Sequence, residues 1–235
     1  MSRPIGNEDP QEYGEGEVLF TDLSEGVALS GVAQKLASLS ASTIADAAGG
    51  AGVLSAGLTR FSGSGTVAGP AVTADCAEGS LLAVFAALEH AEPGDVLCMT
   101  APGLTAYLGD LLAAEILNRG LVAVVVDGLI RDSDTLARLP ISIFARGVTP
   151  AAHRGSDPGR SMVPIQVGGV EVNPGDWIVA DGDGIVVVAA EELQTTFERA
   201  EEGARIEANM MARIKAGASI LDAVNEEGRN AARRD

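Results

Sequence analysis

The chain has 235 residues, of which 46% are hydrophobic, and a formal net charge of −17. This length and apolar content favour one domain with a substantial core. The negative charge argues against binding to nucleic acids or anionic membranes, because both need clustered lysine and arginine. No apolar run reaches the about 18 residues of a membrane-spanning helix.

Rare residue types limit the chemistry further. With two cysteines and two histidines, the chain has neither a disulfide framework nor a histidine-rich zinc motif. We therefore expect a reduced, cytoplasmic protein. Neither Lys35 nor Lys215 lies in a pattern typical of a desolvated Schiff-base amine. Carboxylates and arginines remain, and they favour a hard divalent cation, Mg²⁺ or Mn²⁺, together with anionic ligands bound by arginine.

The first elements in chain order are an acidic arm and two short helices. Residues 1–28 are rich in acids and are predicted to form an arm outside the core. The helices are expected over about 29–38 and 41–49. Either Ser40 or Ser42 can cap the second helix.

Strand and helix patterns then alternate, which indicates an α/β fold. The predicted elements are a strand over 66–75, a helix over 80–91, a strand over 96–101, a helix over 110–120 and strands over 121–126 and 141–145. The strand over 121–126 is apolar throughout, as expected for burial on both faces. Residues 147–162 form a long polar loop, and loops of this length are usually functional or lie at an interface.

The last third of the chain is predicted as four strands in a β-meander and one long charged helix. The strands fall between residues 162 and 188, and the helix spans about 190–216. The turn over 181–184, Asp-Gly-Asp-Gly, has the composition of a hairpin turn and too few acids for a calcium loop.

Two short polar segments each follow a predicted strand or loop and are the candidate site. Gly109-Asp110-Leu111-Leu112 opens a helix, whose first backbone N–H groups can bind a carboxylate. Alternatively, Asp110 only complements the helix dipole. In the second segment, Arg131 can hold a carboxylate through two hydrogen bonds, and Asp132 can bind a metal or simply cap the next helix. Open α/β sheets bind ligands beyond the carboxyl ends of their strands, so the two segments together predict a site.

Six stretches between about residues 40 and 190 form a familiar order. They are STIADAAG, VAGPAVTA, PGDVLCM, LGDLLAAEILNRGLVAVVVDGLIRDSDTL, IFARGVTP and VGGVEVNPGDWIVADGDGIVVV. In this order the chain resembles the RraA-like family (regulator of ribonuclease activity A). That family includes the class II aldolases of 4-hydroxy-4-methyl-2-oxoglutarate and 4-carboxy-4-hydroxy-2-oxoadipate. GDLL followed by VVVDGxxRD is the specific part of the resemblance.

The resemblance implies a fold and an assembly. It implies a single-domain α-β-β-α sandwich of the swivelling β/β/α type over 29–190. The C-terminal helical extension over 191–235 would pack on a neighbouring subunit. The assembly would be a homotrimer or a dimer of trimers, with the active sites between subunits.

The resemblance also assigns roles in substrate binding. By resemblance, the backbone N–H groups of Leu111 and Leu112, beside Gly109, bind the substrate carboxylate. Arg131 binds the oxygens of the oxo acid and acts in catalysis. Asp110 positions a water molecule or transfers a proton.

Metal binding is implied in the same way, with one departure from the family pattern. By resemblance, Asp132 holds Mg²⁺, or another divalent ion such as Mn²⁺, largely through its water shell. Glu207, from the C-terminal helix of a neighbouring subunit, is the candidate for a further acid at the metal. The aldolases carry an acid three residues after the Arg-Asp pair, where this chain has Thr135. Asp134 is next to that position but is expected to point elsewhere on a helix.

Two functions are therefore expected. The first is a metal-dependent lyase that cleaves 4-hydroxy-2-oxo acids to pyruvate and a second oxo acid, and that decarboxylates oxaloacetate through the same enolate. The alternative is a non-catalytic regulator that binds a protein partner such as a ribonuclease. Methyltransferase activity is disfavoured, because the chain has no glycine-rich S-adenosylmethionine loop.

Overall fold

The computed structural model of the chain describes residues 31–76, 80–152, 155 and 157–231. The predicted acidic arm over 1–28 lies outside the described residues. No helix in the described part of the chain is both long enough and apolar enough to cross a membrane.

Helices and strands are interleaved along the described chain. The helices are α1 (Gly31–Ala37), α2 (Ala41–Ala47), α3 (Leu82–Leu88), α4 (Asp110–Asn118), α5 (Ser133–Leu136), α6 (Leu193–Lys215) and α7 (Ile220–Ala231), with a 3₁₀ turn over Ala190–Glu192. The strands are β1 (Thr59–Ser62), β2 (Val67–Asp75), β3 (Val96–Thr100), β4 (Ala106–Leu108), β5 (Ala123–Ile130), β6 (Ser142–Val148), β7 (Arg160–Ser161), β8 (Ile165–Val167), β9 (Val170–Val172), β10 (Trp177–Ala180) and β11 (Ile185–Val188). This order confirms the predicted α/β class with a C-terminal helix.

Most of the described strands form one sheet. Its main path is β1-β6-β5-β3-β2-β10-β11, with β4 beside β5 and β7 beside β2. The neighbours β2, β3, β5 and β6 are parallel, and β4 is parallel to β5. The carboxyl ends of the central strands therefore meet at one edge of the sheet, where polar residues can be brought together.

The two faces of the sheet bury different partners, as strand alternation requires. Val72 and Ala74 of β2 pack in a core cluster with Leu88 of α3 and Ile116 of α4. Ala71 belongs to a second cluster, which includes the β8–β9 hairpin. A third cluster joins α1, α2 and α6 to β10 and β11. The helices thus hold the central strands and their loops in a fixed position.

The strand before the Arg-Asp pair is longer than its sequence pattern predicts. It was expected to end at Val126, with a loop over the following residues, but β5 continues to Ile130. The reason is β4, which the sequence pattern did not indicate and which pairs with the end of β5, Ala106 opposite Leu129. This pairing brings the chain at Gly109 beside Arg131.

The predicted meander is wrong. The β8–β9 hairpin is a separate two-stranded sheet, and β10 pairs with β2 and β11 instead of β9. The break falls at Asn173-Pro174-Gly175. Proline cannot donate a ladder hydrogen bond, and the carboxylate of Asp176 accepts the Asn173 N–H at 2.8 Å. The predicted hairpin turn over 181–184 is confirmed, since it joins β10 to β11.

The start of α2 agrees with its predicted cap, and the C-terminal extension contains two helices. Ser40, rather than Ser42, is the N-cap of α2, where its Oγ accepts the Thr43 N–H at 3.1 Å. The charged helix ends at Lys215, close to its predicted end. It is followed by α7, which lies within the helical extension expected over 191–235.

Candidate functional site

Two polar segments lie side by side at the carboxyl ends of β4 and β5. The backbone N–H of Arg131 donates to the carbonyl oxygen of Leu108 at 2.9 Å. The first segment, Gly109 to Leu112, leads into α4, and the second, Arg131-Asp132, leads into α5. The structure therefore brings together the two segments that the sequence analysis paired.

Asp132 connects these segments through its side chain. Its Oδ2 accepts the backbone N–H of Asp110 at 3.2 Å and lies 3.3 Å from Nε of Arg131. The carbonyl oxygen of Asp132 accepts the N–H groups of Thr135 and Leu136, at 2.9 and 3.0 Å. Asp132 thus occupies the N-cap position of α5, but its carboxylate is directed at α4 instead of capping its own helix.

The backbone of Asp132 is left-handed, with φ 57° and ψ 36°. Few residues other than glycine adopt this conformation, and aspartate and asparagine do so most readily. This backbone turns the chain sharply after β5. The same residue therefore makes both the sharp turn and the carboxylate contact with α4.

Gly109 is needed for its small size. Its φ of −133° is open to any residue, but an added Cβ would lie 2.6 Å from Oδ2 of Asp132 and 2.9 Å from Nε of Arg131. Both distances are shorter than real Cβ contacts. The glycine of the GDLL motif therefore allows Arg131 and Asp132 to approach the start of α4.

The first turn of α4 already binds two carboxylate oxygens of the protein. Besides the contact from Asp132, Oδ1 of Asp110 accepts the N–H of Leu111 at 2.7 Å. The Leu111 side chain is 81% exposed, whereas Leu112 is buried in the core. The N–H groups at this helix end therefore face carboxylates, as expected for the positive end of a helix dipole. A substrate carboxylate at Leu111 would displace Asp110.

A polar opening borders Arg131 and has a volume of about 540 Å³. It is lined by Asp110, Arg131, Asp132, Ser133, Asp134, Thr135, Val148, Thr149 and Pro150. Asp134, which was expected to point elsewhere than Thr135, borders the same opening, because α5 is only one turn long. Thr149 and Pro150 come from the long loop that was expected to be functional.

A second, apolar opening also borders Arg131 and has a volume of about 330 Å³. It is lined by Leu81, Phe85, Ala106, Tyr107, Gly109, Leu111, Leu112, Glu115, Arg131 and Ala152. The sequence analysis missed this opening. The only available signal was the apolar segment around α3, which equally predicts a buried helix face.

Glu207 lies elsewhere in this chain. It lines a third opening, between α2 and α6, together with Asp46 and Arg199. It lines neither of the two openings that border Arg131. A contribution of Glu207 to a neighbouring subunit's site stays a prediction.

Lys35 and Cys98 line neither of the openings beside Arg131. Lys35 stacks on the ring of Phe197, with its Nζ 5.9 Å from the ring centre. Cys98 is buried, and burial raises the pKa of its thiol to about 12, so it is a core residue as expected. Among the described residues, no three histidine, cysteine or acidic side chains are grouped closely enough to hold a metal by themselves.

Comparison with known sequences identifies related proteins. A family described as RraA-like, Aldolase/RraA, matches residues 41–187. A protein of Halalkalibacterium halodurans named "Putative 4-hydroxy-4-methyl-2-oxoglutarate aldolase" is 37% identical over 161 residues, covering 68% of this chain and 77% of that protein. A protein of the same name from Xanthomonas campestris is 35% identical over 136 residues, covering 56% of this chain and 80% of the relative.

Solved structures share the fold. Streptomyces coelicolor RraAS2, described as an unusual member of the RNase ES inhibitor RraA protein family, has a TM-score of 0.69 and 30% identity, covering 80% of this chain and 99% of its own. A protein from Pseudomonas syringae pv. tomato has a TM-score of 0.73 at 22% identity, covering 83% of this chain and 93% of its own. These likenesses confirm the predicted family and fold.

Proposed function

The chain belongs to the RraA-like, Aldolase/RraA family, and we propose that it is a divalent-metal-dependent lyase acting on 4-hydroxy-2-oxo acids. It cleaves the bond between C3 and C4 to give pyruvate and a second oxo acid. Substrates of the 4-hydroxy-4-methyl-2-oxoglutarate and 4-carboxy-4-hydroxy-2-oxoadipate type fit this reaction. Oxaloacetate decarboxylation passes through the same pyruvate enolate and is expected as a second activity.

This proposal rests on one observation: Arg131 and Asp132 lie next to the first turn of α4. Arg131 supplies a fork of donors suited to a carboxylate and its neighbouring oxo group. The first N–H groups of α4 add positive partial charge at the same place. A planar, anionic oxo acid is the ligand class that this arrangement suits best.

The cleavage needs a base and a stabilised enolate. A base removes the proton of the C4 hydroxyl group, the C4 carbonyl forms, and the electron pair of the C3–C4 bond moves into the enolate of pyruvate. Arg131 would stabilise the negative charge that develops on the C2 oxygen. Asp110 is the candidate for holding or moving the proton, directly or through water. Protonation of C3 then completes pyruvate.

The residues at the site fit a largely hydrated Mg²⁺. Mg²⁺ commonly uses one or two protein carboxylates and keeps several waters, and Asp110 and Asp132 both line the polar opening. Hydroxyl groups of Ser133, Thr135 and Thr149 line it too and suit hydrogen bonds to bound water. When bound, the cation supplies positive charge to the oxygens of the oxo acid; Mn²⁺ could replace it.

We also propose a homotrimer or a dimer of trimers. In this assembly Glu207 of one subunit would complete the metal site of the next. An exposed apolar stripe on α7 supports a subunit contact: Ile220, Leu221 and Val224 are 71%, 67% and 50% exposed. Isolated side chains of this kind are common, but three on one short helix favour burial against another surface.

A direct test is the release of pyruvate from 4-hydroxy-4-methyl-2-oxoglutarate and from oxaloacetate, with Mg²⁺ and then with EDTA. The proposal expects pyruvate from both compounds, formed only with the metal. Lack of turnover in a folded oligomer would contradict it.

The second candidate function is that of a non-catalytic regulator. It is favoured by Thr135, which stands in the place of the aldolase acid, and by the formal net charge of −17, which suits a basic protein partner. It would bind a protein such as a ribonuclease and turn over no oxo acid. Restoring the acid with Thr135→Glu separates the two functions, since only an impaired lyase would gain activity.

A further inference from the structure

Arg131 borders two openings of different character. The polar opening carries Asp110 and Asp132, whereas the apolar opening is lined largely by aliphatic and aromatic side chains. Both openings include Arg131. A ligand held by Arg131 can therefore place its anionic end toward the polar opening and a substituent in the apolar one.

The wall of the apolar opening is built from α3, β4 and α4. Phe85 lies on α3, Leu81 immediately precedes this helix, and Leu112 lines the opening from α4. Tyr107 also lines the opening, and its hydroxyl group donates to the carbonyl oxygen of Pro102 at 3.1 Å. Phe85 is 49% exposed although it is aromatic. An apolar ligand group there would remove this surface from water, which is favourable.

The charges at this opening disfavour a carboxylate inside it. Among the described residues that line it, the charged ones are Arg131 and Glu115. Arg131 is engaged by the oxo-acid end in the proposed function. Glu115 accepts a hydrogen bond from Nε of Arg119 at 2.7 Å, so Arg119 already has a partner. A carboxylate in this opening would lose water beside Glu115 and gain no further cation from the described residues that line it.

We propose, on the basis of the proposed function, that the apolar opening binds the C4 substituent of the substrate and selects uncharged alkyl groups over carboxymethyl. Its volume of about 330 Å³ exceeds the needs of a methyl group and lies at the lower end for small-molecule sites. The preferred substrates are therefore 4-hydroxy-2-oxo acids with a methyl or larger alkyl group at C4. Phe85 and Leu81 determine this specificity.

Two substrates with the same scissile bond test the proposal. 4-Hydroxy-4-methyl-2-oxoglutarate carries a methyl group at C4, and 4-carboxy-4-hydroxy-2-oxoadipate carries a carboxymethyl group there. We expect kcat/KM for the methyl substrate to be higher by about tenfold or more. Loss of substrate is followed by chromatography, so that the different second products do not affect the comparison.

A matched pair of variants on α3 tests whether Phe85 determines this specificity. Phe85→Arg places a cation in the opening and is expected to shift the ratio of kcat/KM toward the carboxymethyl substrate by about tenfold. Leu82→Arg is the control, because Leu82 is 52% exposed on the same helix but does not line the opening. Circular dichroism checks that both variants fold.

The outcomes separate this inference from the proposed function. Turnover with equal or reversed preference, or an unchanged ratio in Phe85→Arg, overturns the specificity inference and leaves the lyase intact. Failure to cleave either substrate, in wild-type protein with Mg²⁺, overturns the proposed function and this inference with it. A ratio that shifts equally in Leu82→Arg overturns the role of Phe85.

Discussion

Oδ2 of Asp132 lies 3.2 Å from the backbone nitrogen of Asp110, a residue 22 positions earlier in the chain. This contact joins the end of β5 to the first turn of α4. It sets the carboxylate of Asp132, the side chain of Arg131 and the N–H groups of α4 around one place. A site that depends on this contact can be disturbed through either segment.

Replacing Asp132 with asparagine should abolish most metal-dependent activity. Asparagine also tolerates the left-handed backbone, so the fold should survive while the charge is lost. We expect kcat to fall by about 10²–10³, the range seen when one preorganised electrostatic group is removed. Pyruvate formation at saturating Mg²⁺ measures this, with Asp183→Asn in the β10–β11 turn as the control. Wild-type activity in Asp132→Asn would contradict the assignment.

Replacing Arg131 with lysine should weaken substrate binding without unfolding the protein. Lysine keeps the positive charge but loses the planar fork that binds carboxylates through two hydrogen bonds. One charge-assisted hydrogen bond is worth about 1.5–3 kcal/mol, which corresponds to a fall in kcat/KM of about 10–100-fold. Arg131 is partly exposed, with 39% of its side chain accessible, so thermal unfolding should change little. Equal kcat/KM in both proteins would show that the fork is not used.

Replacing Gly109 with alanine should impair the site and spare the fold. The added Cβ would lie 2.6 Å from Oδ2 of Asp132, so Asp132 and Arg131 must move. A displacement of about 1 Å can cost about 10²-fold in rate. Gly31→Ala in α1 is the control, because its Cβ would also meet nothing within 4 Å. That change should leave activity unchanged.

The two buried thiols should make stability fall in alkaline solution. Burial raises the pKa values of Cys76 and Cys98 to about 12, with a smaller contribution from Asp75 at Cys76 and from Asp176 at Cys98. In the unfolded chain these thiols ionise near their ordinary value of 9.0. Above that pH the unfolded state binds fewer protons than the folded state, so the free energy of unfolding declines as pH rises toward 12. Urea titrations at several pH values from 8 to 10.5 give the free energy of unfolding at each pH. We expect this free energy to fall less steeply with pH in Cys98→Ala than in the wild-type protein. An identical dependence on pH would contradict this.

The sequence revealed the chemistry of the site better than its shape. Gly109, Asp110, Arg131 and Asp132 stand out because polar residues interrupt apolar runs where strands end. In contrast, β4 has three residues, too few for alternation to show. Without β4, neither the full length of β5 nor the contact between the two segments follows from the sequence.

The sequence also did not predict which side chains border the openings. Asp134 and Asp110 border the polar opening because of the short helix and the particular turn around them, and no periodicity encodes this. Phe85 looks like a core residue in a helical pattern, although half of it is exposed. Such placements depend on contacts between residues that are distant in the chain.

The central claim is that Arg131 and its neighbours stabilise the enolate of pyruvate. The most direct measurement is exchange of the pyruvate methyl protons with deuterium, followed by proton NMR in D₂O with Mg²⁺. This reaction needs the enolate and no aldol substrate. The account predicts exchange well above the buffer rate in wild-type protein, loss of exchange with EDTA and loss of exchange in Arg131→Ala. Exchange at the buffer rate, in a folded and metal-supplied oligomer, would contradict it.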